Sequence, residues 1–98
     1  MADDVARFQR YLADERAAAR RYRALADLTE GSRSQALREL AAIEDRHAEH
    51  WESLLRQRGA AIPAVPEATP ADDELLRRAR TSGLDAVLGQ LEQEERDA

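Results

Sequence analysis

The chain has no cysteine, which excludes disulfides, zinc–thiolate sites and thiol chemistry from the start. Aromatic residues are scarce, with one Trp, one Phe and two Tyr, so alanine and leucine must build most of any core, and that balance favours helices over sheets. No stretch approaches the roughly 18 consecutive apolar residues that span a bilayer. A basic patch is missing too: the arginines alternate with acids and the net charge is -5, which gives no footing for nucleic acid. The opening MADDVARF lacks the basic start and apolar run of a secretory signal, so the chain reads as cytoplasmic. Ninety-eight residues allow one small domain with a thin core, for which a partner or a longer parent chain is expected.

The positive signal is helical period. Apolar residues recur at Phe8, Leu12, Ala19, Tyr22 and Ala26, with Val5, Leu25 and Leu28 beside them, predicting a helix over 3–28. TEGSRS breaks the pattern; Gly31 suits a helix C-terminus, and Ser32 or Ser34 can cap the next helix. Leu37, Leu40, Trp51 and Leu54 predict a second helix over 33–57, closed by Gly59. The short turn makes the two helices an antiparallel hairpin. Three prolines mark 60–70 as an extended surface linker. Thr69-Pro70 with Asp72 and Asp73 behind reads as the start of a helix over 71–96, broken at TSG, where Ser82 and Asp85 resemble a capping box. That segment stops on a rising apolar pattern, as in a chain cut from a longer one or ending in a disordered tail.

Both long stripes are interrupted by acids. The first series, 8, 12, 15, 19, 22, 26, includes Glu15, and the second, 37, 40, 44, 47, 51, 54, includes Glu44 and His47. A carboxylate at such a position is expensive to bury alone. Measured from Gly31, Glu15 lies 16 residues before, and Glu44 and His47 lie 13 and 16 after. At about 1.5 Å per residue all three stand at nearly one height, and the Glu44–His47 spacing puts both on one helix face. One hairpin then offers two carboxylates and an imidazole. Two hairpins about a two-fold axis offer four carboxylates and two histidines, the ligand set of a dinuclear iron or manganese centre. His50 is a weaker candidate ligand; Asp14, Asp45 and Glu49 read as solvated, and Trp51 as core shielding the site. Glu95, or Glu92 or Glu94, could supply a further carboxylate.

Glu15 followed by Tyr22 and then Glu44-Asp-Arg-His47 resembles the first half of the ferritin-like superfamily, rubrerythrins especially. The wording YLADERAAARRYRALADL and LRELAAIEDRHAEHWESLLRQRG is similar to the rubrerythrin-type domain fused to vacuolar-iron-transporter membrane domains, with encapsulated ferritins as further relatives. The resemblance covers residues 5 to 59; the second Glu-x-x-His of a complete domain is not in the chain. It implies an all-α, ferritin-like helical hairpin whose four-helix bundle is completed by homodimerisation, as one domain over 1–98. It further implies Glu15, Glu44 and His47 as iron ligands, Tyr22 as the neighbour of the first-helix ligand with a redox role, and ferroxidase chemistry toward Fe2+ with O2 or peroxide. The same site could instead capture Fe2+ or Mn2+ for a fused or partner transporter, on the cytoplasmic face of the membrane. The competing expectation is a metal-free helical dimerisation module in which these acids form salt bridges to Arg16, Arg20 or Arg46.

Overall fold

A computed structural model describes the backbone of residues 2–97, with side chains placed for 4–91 and 93. The described residues form four helices: α1 (Ala2–Ala26), α2 (Gly31–Gln57), α3 (Pro70–Ser82) and α4 (Leu84–Asp97). The chain is therefore all-α. α1 and α2 pack side by side along their length, and their 25 and 27 residues set the 45 Å long dimension of the molecule.

The turns are set by local chemistry. α1 stops at Ala26, earlier than the stripe implied, because residues 27–29 tighten into a turn with Leu28 bonded to the Leu25 carbonyl. Gly31, with φ 67°, opens α2 instead of sitting outside it. Neither serine caps α2: its N-cap is Glu30, which makes no side-chain cap bond, and the Ser34 hydroxyl donates to the Ala26 carbonyl at 2.9 Å. Ser34 thus adds a second donor to the Ala26 carbonyl, which also accepts from the Thr29 N–H at 3.3 Å, and ties the two helices at their turn. At the other end Gly59, φ 65°, closes α2 as expected. Gly59 N–H bonds the Arg56 carbonyl and Ala60 N–H the Leu55 carbonyl, while Ala60 packs with the cluster around Leu55.

Two apolar clusters hold the helices. The larger joins all four: Ala19, Tyr22, Leu25 and Ala26 of α1, Leu37 and Ala41 of α2, Leu75 and Ala79 of α3, Val87 and Leu91 of α4. The smaller lies toward the free end of the hairpin and contains Leu12, Ala48 and Leu55, with Phe8 and Trp51 against them. On α2 the buried seam is therefore 37, 41, 48, 55. The expected stripe at 40, 44, 47 and 51 runs beside that seam, leaving Leu40 at 40% and Ile43 at 37% exposed. The reason is the width of the contact: small alanines at 41 and 48 let the helices approach there, and the larger residues are turned to the flank.

The extended linker runs along the opposite flank, beside Arg16, Asp45 and Glu52, and α3 docks against α1. Gln9 donates to the Ala61 carbonyl at 3.0 Å, and Arg20 donates to the Pro66 carbonyl. Asp72, 7% exposed, fastens the end of this strap. Its carboxylate accepts from the Thr69 backbone N–H at 2.9 Å while the Thr69 hydroxyl accepts from Asp72 N–H at 3.2 Å, a complete capping box. The same carboxylate accepts from Arg20 at 2.8 Å and, less closely, from Arg21 at 3.4 Å. Burial would raise its pKa, but the Thr69 backbone bond and the two guanidinium bonds outweigh that and hold it below the ordinary carboxylate value.

A group with a depressed folded-state pKa stabilises above its unfolded value, and that contribution fades as pH falls through the folded one. Asp72→Ala is expected to lose about 2 kcal/mol near neutral pH, from the cap and the shared charge-assisted bonds. The loss should shrink steadily below about pH 4. Urea unfolding of both proteins across that range checks this; an unchanging difference would mean that packing alone carries the effect.

Candidate metal centre

The level between the two apolar clusters is polar. On α1 it lies between Leu12 and Ala19, and on α2 between Ala41 and Ala48. Glu15 and Arg16 occupy it from one side, Glu44, Asp45 and His47 from the other. Because consecutive residues of a helix diverge by about a quarter turn, Glu15 and Arg16 serve different flanks, as do Glu44 and Asp45.

On the strapped flank the charges neutralise one another. Arg16 bridges Glu52 at 2.8 Å and Asp45 at 3.6 Å, and Arg23 also pairs with Asp45. Asp45 is thus an interhelical partner, a correction to its reading as a solvated residue. Two of the three arginines expected to neutralise the stripe acids in a metal-free module pair with other acids: Arg16 with Asp45 and Glu52, and Arg20 with Asp72.

The other flank holds Glu15, Glu44 and His47. His47 Nδ1 stands 3.5 Å from the Glu15 carboxylate and 4.0 Å from that of Glu44. One ligand atom from each of the three lies within 4.8 Å of the others. The carboxylates are half-buried, with side-chain exposures of 23% and 16%, whereas His47 is 56% exposed and forms the outer lip. This arrangement places donor atoms toward the surface of the hairpin, not inside its seam as the stripe implied. A first-row divalent ion with bonds of about 2.1 Å gathers its ligand atoms to about 3–4 Å. Small side-chain rotations close that difference, so the donor set fits.

The remaining sequence candidates separate cleanly. Among the described residues the three-membered group contains neither His50 nor Glu49. His50 instead packs its ring edge against Trp51, with centroids 5.1 Å apart. Asp14 and Glu49 are exposed, as expected. Tyr22 is buried in the four-helix cluster, two turns from Glu15 along α1. Trp51 stands one turn beyond His47 and belongs to the smaller cluster. The side chains of Glu92, Glu94 and Glu95 lie outside the described residues. Sequence reasoning missed Tyr11, whose ring lies 5.0 Å from that of Trp51; only its spacing of four from Glu15 could have signalled it.

Two carboxylates whose oxygens lie within 4.8 Å of each other repel. Glu44→Gln is therefore expected to leave the metal-free protein as stable as before or slightly more so, by up to about 1 kcal/mol. Thermal unfolding at neutral pH in the presence of a chelator tests it. A marked loss of stability would assign Glu44 to the scaffold.

No family model, no curated protein and no solved structure matches the chain.

Proposed function

We propose that this chain binds divalent iron, or manganese, through Glu15, Glu44 and His47, at a dinuclear site completed by a second copy. The observation that carries this reading is the meeting of two carboxylates and an imidazole, from two helices, within 4.8 Å. Their hardness suits Fe2+ and Mn2+, and a bound cation would offset the repulsion between the acids. Three ligands leave a first-row ion under-coordinated. On α2, Leu40 and Ile43, each one turn before Glu44 and His47 respectively, also stay exposed. A copy related by a two-fold axis near His47 would cover those residues and bring the second ligand set, giving a ferritin-like four-helix bundle.

In this reading Glu15 and Glu44 would hold the metal through carboxylate oxygens and His47 would hold it through a ring nitrogen. Tyr22, buried two turns along α1 from Glu15, would be the neighbouring phenol with the redox role. A pair of Fe2+ ions supplies two electrons to O2 or peroxide, which is ferroxidase chemistry. The same ligands serve capture and delivery of Fe2+ or Mn2+ to a fused or partner membrane transporter from its cytoplasmic side. Among the described residues no helix is long and apolar enough to cross a membrane.

A metal-free dimerisation module is the second reading. It draws on the pairing of Arg16 with Glu52 and Asp45, which shows that this hairpin does use acids as interhelical ties.

Anaerobic titration with Fe2+ by calorimetry is expected to saturate near one ion per chain, and Glu44→Gln to abolish tight binding. Unchanged affinity in Glu44→Gln, or no saturation in the parent, would overturn the metal reading. Separately, Ile43→Glu is expected to shift the chain toward monomer in sedimentation equilibrium, since a charge at a face-to-face contact meets its own copy. An unaltered dimer would place the contact elsewhere.

A further inference from the structure

The linker arches over the hairpin instead of lying flat on it. Two side chains tie it down, Gln9 to the Ala61 carbonyl and Arg20 to the Pro66 carbonyl. They leave α1 from positions about 16 Å apart at helical rise. The extended chain from Ala61 to Pro66 covers about the same 16 Å at the polyproline rise. Little slack is left to sag into the groove. A cavity of about 400 Å³ stays open beneath, within the size range of small-molecule sites. Val65 borders it but is 61% exposed, so this side chain is not seated on the helices.

The cavity is apolar above and below and charged at its sides. Leu12 and Ala19, from the buried seam of α1, make the floor, and Pro63 and Val65 the outer side. The walls are Arg16, Arg20 and Arg23, on successive turns of α1, with Asp45 and Glu52 of α2. Arg16 is held to Glu52 at 2.8 Å, and Arg20 to Asp72 at 2.8 Å. Arg23 is placed differently. It pairs with Asp45, which Arg16 also approaches at 3.6 Å, so Arg23 can turn to another carboxylate while Asp45 keeps a cation. Its side chain is 47% exposed, and such a turn disturbs no packed core.

We propose that this cavity binds an aliphatic carboxylate of medium chain length, its head on Arg23 and its tail between Leu12 and Ala19 on one side and Pro63 and Val65 on the other. A carboxylate matches the planar guanidinium fork with two parallel bonds. Asp45 and Glu52 in the walls disfavour a head of higher charge, such as a phosphate. An apolar tail covers surfaces that a bare anion leaves wet, and each buried methylene adds about fourfold in affinity. None of these residues belongs to the Glu15–Glu44–His47 group, so the site stands or falls apart from the metal reading.

Amide NMR shifts of the isotope-labelled full chain, titrated with octanoate in the absence of metal, test the proposal. Saturable shifts are expected at Ala19, Arg23, Ala64 and Val65. Hexanoate should bind about tenfold more weakly for its two missing methylenes. Octanol, which keeps the tail without the charge, should also lose about tenfold. Acetate should not saturate over the same range. Arg23→Gln is expected to weaken octanoate by about tenfold, and Val65→Asp, which sets a like charge against the tail, by more. Equal affinity for acetate and octanoate would reduce the effect to anions gathering on arginines and overturn the site. Equal affinity for octanol and octanoate would remove the role of Arg23. Shifts centred on Leu40 and Ile43, octanoate binding unchanged in both variants, or no saturation in the parent would each overturn the cavity as the site.

Discussion

A layer of charge divides the core of the long hairpin, and the rest of the architecture is arranged around it. Above it, four helices share one apolar cluster; below it, two helices and three rings make a thinner one. An apolar layer at this height would have joined the two clusters into one seam. Instead the chain gives the level to five ionisable side chains and sorts them by flank. Arg16 between Asp45 and Glu52 is neutralised locally and needs nothing more. On the other flank two acids share one histidine, with His47 Nδ1 at 3.5 Å from Glu15 and 4.0 Å from Glu44.

The strap explains how such a small chain tolerates the interruption. The linker adds no apolar core of its own, yet it brings α3 and α4 onto the hairpin, where Leu75, Ala79, Val87 and Leu91 thicken the upper cluster. Asp72 makes this attachment specific, because one carboxylate both starts α3 and grips α1 through Arg20. Helix initiation and docking are therefore one event, and α3 gains its cap in the same geometry that binds it.

Much of this was legible in the residues. The hairpin is dictated by apolar period and a short turn, the closing of α2 by Gly59, and the start of α3 by Thr69-Pro70 with Asp72. The convergence of Glu15, Glu44 and His47 comes from counting outward from Gly31 at constant rise. Rotation about the helix axis was not legible. Leu40 and His47 share the period of Leu37, but a few tens of degrees decide which residues face α1, and Ala41 and Ala48 decide it by being small. Alanine gives little hydrophobic signal, so a stripe drawn through the large residues lands on the flank. The roles of Asp45 and Asp72 depended on tertiary partners far along the chain, which local spacing does not encode. The family resemblance pointed to the same three residues by another route; the convergence of their atoms is a property of this hairpin in its own right.

The linker has a last consequence, for geometry between molecules. A hairpin with two bare flanks could be sandwiched on both sides and so propagate into rows of unlimited length. With one flank occupied by the linker, tied through the Ala61 and Pro66 carbonyls, a second copy could lie along that side only by displacing the strap. Three prolines and two carbonyl bonds thus bias any lateral packing of the hairpin toward its other flank.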